Sequence, residues 1–344
     1  MGKRLTRRRL LSAVPAVGLG ATALHAAVPH SHGSAAAATE HGGVGSSHRA
    51  TGHAAFRGGE VDHRANGFDP HAILRDFDEG TTSPMANGRT LREWTLVAAE
   101  HEIEIAPGVK FTAWSYNRRI PGPTLRATEG DRLRITFVNG GRHPHTIHFH
   151  GIHPAAMDGV AGLGDGEIAP GGRTVYEFDA APFGLQLYHC HVRPLAEHIA
   201  KGLYGTLIID PKDPREKADE MVMVMNGFDT NFDRANELYA ANTIGFAYAD
   251  KPIRVRRDEL VRLYLVNVLE YDLINSLHLH GNFFHYIPTG SAKAPSEFTD
   301  TVMLCQGQRG ILEMRFPNAG RYMFHAHQSE FTELGWMGFF EVVE

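Results

Sequence analysis

The chain contains the same unit twice, and that repeat fixes its architecture. RATEGDRLRITFVN (126–139) aligns with RVRRDELVRLYLVN (254–267), and HTIHFHG (145–151) with NSLHLHG (275–281). LYHCH (187–191) aligns with MFHAH (323–327), and GLYGTLII (202–209) with GWMGFFEV (335–342). Four matches in one order mark two copies of one supersecondary unit. Within each copy, short β-branched and aromatic runs alternate with Gly/Pro turns. They fall at 94–98, 101–105, 110–116, 132–137, 174–178, 186–188 and 204–209 in the first copy. In the second they fall at 221–225, 252–255, 260–266, 277–284, 301–304, 311–316, 321–324 and 339–343. Strands so closely spaced predict an all-β chain of two Greek-key β-sandwich or barrel domains. The copies run over 93–212 and 217–344, joined by a Pro- and charge-rich stretch at 211–217. The length of 344 residues fits two domains.

Four His-x-His pairs sit at equivalent places in the copies: His148/His150, His189/His191, His278/His280 and His325/His327. In a strand, residues i and i+2 share a face, so each pair presents two imidazoles together. One such pair is common in any sequence. Four at matched positions of a repeat indicate metal ligation. Eight neutral imidazoles without a carboxylate among them suit copper or zinc, and a thiolate nearby tips the choice to copper. That thiol is Cys190, which lies between His189 and His191 and must point to the opposite face. With His145, five residues before His150, and His198, eight after Cys190, it completes the two-imidazole, one-thiolate set of a blue copper site. The axial position, five residues past His198, holds Leu203, which cannot ligate, so a high potential is expected. The second copy lacks this site, with Asn275, Ala326 and Phe331 at the matching places.

Other residues read as structural. Met221, Met223 and Met225 alternate along an apolar strand and are assigned to the core. His153 and His285 are expected to pack beside ligands. Cys305, the only other cysteine, is expected to be buried near a strand end without a role. If Cys190 holds metal, no intrachain disulfide can form.

Residues 1–27 read as an export signal. Lys3, Arg4, Arg7, Arg8 and Arg9 precede an Ala/Gly-rich apolar stretch with small-residue cleavage candidates near its end. Thr6 to Leu11 is similar to a twin-arginine signal, which exports folded proteins, often with cofactor in place. Pro15, Gly18 and Gly20 argue against a permanent membrane anchor, so a secreted, periplasmic or cell-surface protein off the membrane is expected. Residues 28–92 read as a His/Gly/Ala-rich linker, mostly disordered, with His30, His32, His41, His48, His53 and His63 as a solvated spacer. Net charge is −5, which gives no support to a nucleic-acid partner.

With the lead-in YNRRIPGPTLRATEGD (116–131), these motifs resemble those of a two-domain multicopper oxidase, small laccase-like, in the laccase and copper nitrite reductase superfamily. The resemblance covers about residues 93–344 and is to the subgroup with blue copper in the first domain only. It implies a type 1 copper on His145, Cys190 and His198, a type 2 copper on His148 and His278, and two type 3 coppers on His150, His189, His191, His280, His325 and His327. It further implies four coppers per chain and a homotrimer in which domain 1 of one subunit meets domain 2 of the next. Electrons would leave a phenol, aromatic amine or metal ion at an exposed edge near His145 or His198. They would cross from Cys190 to His189 and His191, and O₂ would be reduced to water. Asp158, in AMDGV, resembles the family's carboxylate beside the trinuclear cluster, and Glu330 is a second proton-relay candidate. A copper nitrite reductase shares much of this spacing, but it has an aspartate where His148 stands and no ligand where His191 stands. A copper-binding or storage protein, suggested by the His-rich tail and the alternate methionines, would not need the Cys190 site.

Overall fold

The computed structural model describes residues 59–344; the export-signal motif and most of the His-rich segment lie outside the described residues. The first domain packs two sheets face to face. One runs in the order Phe77–Asp78, Thr124–Thr128, Tyr204–Asp210, Gly184–His189, His148–Phe149. The other runs Thr81–Pro84, Thr90–Ala106, Arg132–Asn139, Arg173–Asp179, with Val109–Tyr116 paired to the long second strand. The second domain repeats the plan. Its first sheet runs Ile253–Arg256, Met337–Val343, Gly320–His325, Ile274–Leu279, Thr301–Cys305. Its second runs Leu238–Ala241, Asp219–Phe228, Val261–Asn267, Arg309–Met314, Phe284–Pro288, Glu297–Thr299. The mostly antiparallel sheets with crossover pairings match the two expected Greek-key domains.

The repeat extends to register. His148 pairs with His189 in the first domain, and His278 with His325 in the second. In the first copy, Tyr204–Asp210 runs antiparallel to Gly184–His189 and parallel to Thr124–Thr128. In the second, Met337–Val343 does the same between Gly320–His325 and Ile253–Arg256.

Three apolar cores hold the molecule. Each domain has its own, and a third joins them, with Ile103, Ile105, Phe111, Leu187 and Ile208 on one side and Val222, Val224, Phe228, Tyr264 and Val266 on the other. Strand Asp219–Phe228 serves two of these cores by alternation. Met221, Met223 and Met225 enter the second domain's core, while Val222 and Val224 enter the shared one. Both faces are buried, which explains the unbroken apolar run. The methionines are core residues, as expected.

Three details differ from the sequence reading. Residues 59–92 are ordered: a strap at 62–74 anchors to the shared and second-domain cores, and Phe77–Asp78 and Thr81–Pro84 are strands of the first domain. Asp62 and Asp69 cap the helices His63–Asn66 and Pro70–Ile73 by accepting from Ala65 N and His71 N. Phe68 and Ile73 then enter the shared core, and Leu74 the second domain's. Asn66 pairs its amide with the backbone of Glu104 in both directions. The anchoring residues are few and scattered in polar sequence, so they leave no periodic signal. Second, the runs at 94–98 and 101–105 form one strand, Thr90–Ala106, whereas the run at 277–284 breaks at His280–Phe283. Third, Cys305 is exposed, because in strand Thr301–Cys305 it shares the outward face with Met303.

An ion-pair ladder bridges the domains beside the shared core. Arg126 binds Asp210 and Glu220, and Arg262 binds Glu220 and Glu313. Burial opposes charge on Glu220, but the hydrogen bonds from Arg126, Tyr264 and Arg262 outweigh it and hold the carboxyl below its ordinary 4.5. Replacing Glu220 with Gln leaves two guanidinium groups under-paired, and urea unfolding at pH 7 should show a loss of about 1–3 kcal/mol. A depressed carboxyl contributes stability above its unfolded pKa and loses it as pH falls through the folded one. The gap between wild type and variant should therefore close below about pH 4.5.

Candidate metal centre

The strand ending at His189 sets two sites back to back. Cys190 points into the first domain's core. Its Sγ lies 3.2 Å from His198 Nδ1 and 3.9 Å from His145 Nδ1, and the two Nδ1 atoms are 3.2 Å apart. His198 reaches the site from the short helix Leu195–Ala200, and His145 from the loop after Arg132–Asn139. Leu203 is fully buried in the same core, and its carbonyl accepts from Cys190 N. Burial, aided by the neighbouring imidazoles, holds His145 at about 3 and His198 at about 4, so both are neutral at pH 7, the form that ligates. Burial pushes the Cys190 thiol up, while the N–H of Thr146 donates to its sulfur. A softer, less hydrated cation is the natural replacement for that thiol's proton. The donor set therefore fits copper.

Across the strand lie His148, His150, His189 and His191. The His189 and His191 rings stack at 5.7 Å, and His148 meets His150, His189 and His191 at 5.1–5.3 Å. His150 Nε2 and His189 Nε2 face each other at 2.9 Å. The second domain repeats this geometry, with His280 Nε2 and His325 Nε2 also 2.9 Å apart and His278 meeting His280, His325 and His327 at 4.9–5.5 Å. In both copies the rear nitrogens are pinned. His189 Nδ1 and His325 Nδ1 bond to the carbonyls of Cys190 and Ala326. His148 Nδ1 bonds to the carbonyl of Asp158, and His278 Nδ1 to that of Asp300 and to Thr301 Oγ1. Such outer contacts fix the tautomer and leave Nε2 free for a metal. Burial keeps His150 at about 3 and His189 at about 4, both neutral at pH 7.

The two histidine clusters stay apart within one chain. Of the five groups of potential ligand atoms that lie together among the described residues, the two made of histidines alone, His148/His150/His189 and His278/His280/His325, have no member in common. The first cluster opens instead on a cavity of about 280 Å³, lined in part by Val268, Glu270, Gln306 and Gly307 of its own second domain. Glu270 is the one carboxylate in that lining. Burial raises it to about 7 against a hydrogen bond donated by Gln306.

The remaining assignments fare differently. Asp158 Oδ1 lies 3.1 Å from His148 Nδ1 and 3.5 Å from His153 Nε2, so Asp158 and His153 both pack beside a cluster histidine. Gly159 follows at φ +68, where a Cβ would stand 2.1 Å from the Ile147 carbonyl, which explains the Asp-Gly turn. Glu330 is exposed on helix Ser329–Glu333. His285 stacks on exposed Phe298 at 4.7 Å rather than on a ligand. In the second domain the place of the blue site is filled: Ala326 is buried, Phe331 stacks on Tyr239 at 4.0 Å, and Asn275 is buried. The edge expected to be exposed near His145 or His198 is covered. These residues are 1% and 3% exposed, because Trp114 packs on both rings and Gly141 abuts His145 Nε2.

Sequence reasoning missed Glu270, Trp114 and one matched hydroxyl. Thr146 Oγ1 accepts from His191 N, and Ser276 Oγ from His327 N. The signal was present, because both residues hold the second position of the aligned motifs HTIHFHG and NSLHLHG.

Sequence models of the multicopper oxidase family match residues 98–214 and 216–344. A solved multicopper oxidase is 62% identical, with a TM-score of 0.81 over 83% of this chain and 100% of the other. The blue copper oxidase from Nitrosomonas europaea is 28% identical, with a TM-score of 0.66 over 73% and 86% of the two chains. The copper-containing nitrite reductase of Neisseria meningitidis is 26% identical over 252 residues, 67% of this chain and 64% of the relative. The chain thus spans a little under two thirds of that relative's length. It belongs to the multicopper oxidase family and has a cupredoxin-like fold. No described helix is long and apolar enough to cross a membrane.

If Asp158 holds the His148 ring for metal, Asp158→Ala should weaken copper retention at that position about 10–100-fold in a chelator competition, with the blue absorption band unchanged.

Proposed function

We propose that the chain is a laccase-like oxidase. It takes single electrons from a reducing substrate at the Cys190 site and reduces O₂ to water at a three-copper site shared between subunits of a homotrimer. The observation that carries this reading is the pair of matched half-sites. Each presents four imidazoles with facing Nε2 atoms 2.9 Å apart, yet neither is completed by the other half of its own chain. A neighbouring subunit can supply the missing half, and a head-to-tail contact that closes makes a ring. The second half-site is flanked by exposed apolar residues, Leu273, Ile274, Phe283, Phe298 and Met303, which supports burial of this face against another subunit.

In the roles proposed, His145, Cys190 and His198 hold the type 1 copper, and His148 with His278 of a neighbour the type 2. His150, His189, His191, His280, His325 and His327 hold the type 3 pair. Copper bound at these sites supplies one-electron redox chemistry and four-electron reduction of O₂. Cys190 is bonded through the backbone to His189 and His191, which gives a short covalent path between the sites. Asp158 orients His148. Glu270, with its pKa raised to about 7, can hold a proton against the cavity at neutral pH. Burial of the histidines keeps them as neutral donors and excludes competing protons.

Nitrite reduction is the second reading, favoured by the Neisseria relative. It is weaker because His148 and His191 both stand within the first cluster, their rings 5.2 Å apart. Copper analysis with EPR and O₂ uptake on a phenol should give about four coppers per chain, one with a blue signal. Cys190→Ser should lose about one copper, the blue band and phenol-dependent O₂ uptake. Nitrite turnover without O₂ uptake would reject the oxidase. Phe298→Asp should shift light scattering from trimer toward monomer and depress O₂ uptake in proportion; an active monomer would reject the shared site.

A further inference from the structure

Neither ligand ring of the Cys190 site can be touched by a molecule at the surface. His145 and His198 are 1% and 3% exposed, and the outer nitrogen of His145 faces Gly141, where a Cβ would stand 3.0 Å away. Electron tunnelling weakens steeply with distance, so a donor held off the ligands needs a conjugated group between. Trp114 occupies that position. Its ring centre lies 4.9 Å from that of His198 and 5.4 Å from that of His145. Trp114 is itself only 7% exposed, but the His143 ring lies on it at 4.7 Å and 30°, and the His143 side chain is 54% exposed. The stack is held in place, because Asn139 Nδ2 donates to the His143 carbonyl and Asn139 Oδ1 accepts from Gly141 N.

The charges around the stack are of both signs, so neither a cation nor an anion is singled out. Lys201 Nζ lies 5.3 Å from the Trp114 ring centre and 4.3 Å from that of Phe232, which is 62% exposed. Lys201 makes no ion pair among the described residues, but three carboxylates, Glu197, Asp229 and Glu100, act on its charge. Glu100 stands beside the stack. It lies 3.9 Å from both His143 Nε2 and Arg142 Nε, so its charge is shared with that guanidinium.

We propose that the stacked rings of His143 and Trp114 are the port through which electrons reach the Cys190 site, and that an uncharged electron-rich aromatic ring docks face-on to His143. The port rests on the type 1 assignment above. For a phenol the O–H bond breaks, one electron reduces the type 1 copper from Cu(II) to Cu(I), the proton passes to water at the exposed face, and an aryloxyl radical leaves.

The test uses the copper-loaded protein without O₂. Bleaching of the blue band is followed by stopped flow with 2,6-dimethoxyphenol and, separately, with hexacyanoferrate(II), which has no ring to stack. A stacked aromatic pair predicts that His143→Ala slows bleaching by the phenol about five- to tenfold and by hexacyanoferrate(II) less than about twofold. His143→Phe, which keeps a ring, should stay within about twofold of wild type for the phenol. The reduction potential of the blue site should be unchanged in both. Equilibrium dialysis of 1,4-dimethoxybenzene, a ring lacking the reactive O–H, should show binding to wild type and His143→Phe and its loss in His143→Ala. His143 is exposed, so these variants should fold, and an intact blue band verifies it. A blue His143→Ala protein bleached by the phenol at the wild-type rate overturns the port alone. So does equal slowing with both reductants, or slowing in His143→Phe as large as in His143→Ala. A wild-type chain with no blue band overturns the copper assignment and the port with it.

Discussion

The alternation of side chains along one strand end organises this molecule. His189, Cys190 and His191 point down, up and down, and so Cys190 enters the domain core while the two imidazoles face outward. Everything around the segment keeps that alternation in register. His148 is paired to His189 across the ladder, Cys190 N is bonded to the Leu203 carbonyl, and the Thr146 hydroxyl accepts from His191 N. A shift of one residue would turn the imidazoles into the domain core and the thiol away from it. The second domain preserves the same pairing, His278 with His325, and the same hydroxyl, Ser276, although Ala326 has replaced the cysteine. The scaffold for the histidines is thus independent of the thiol site behind it.

Burial does the electrostatic work at both sites. Imidazole in water titrates near neutrality, where proton and metal compete for the same nitrogen. Here desolvation drives His145 and His150 to about 3 and His189 and His198 to about 4. A buried cation adds to this at His150: the Arg309 guanidinium, bonded to the Leu185 carbonyl and Gln186 Oε1, disfavours protonation of that ring. The same desolvation acts with opposite sign on Glu270, which it favours as the neutral acid. One cavity therefore holds neutral bases and a carboxyl ready to carry a proton.

The sequence made the histidine clusters legible because their signal is local. A strand period, a fixed offset to Cys190 and a second copy sufficed for His145, His148, His150, His189, His191 and His198 and for their counterparts. Residues brought in from elsewhere in the chain were hidden. Glu270 reaches the cavity from the other domain, and Trp114 reaches the blue site from a strand about thirty residues before His145, with nothing in either neighbourhood to mark it. Fold prediction failed in the same way. The domains were evident from periodic apolar runs, whereas the strap at 62–74 depends on Phe68, Ile73 and Leu74, three anchors set in polar sequence.

The core shared by the two domains bears on whether either copy could stand alone. Val222, Val224, Phe228, Tyr264 and Val266 of one copy pack in one cluster with Ile103, Ile105, Phe111, Leu187 and Ile208 of the other. Neither copy cut free near residue 214 would be a finished surface, because each would carry a bare apolar wall into water. A single unit of this kind would therefore need another apolar wall against it, and in this chain the joined copy supplies one.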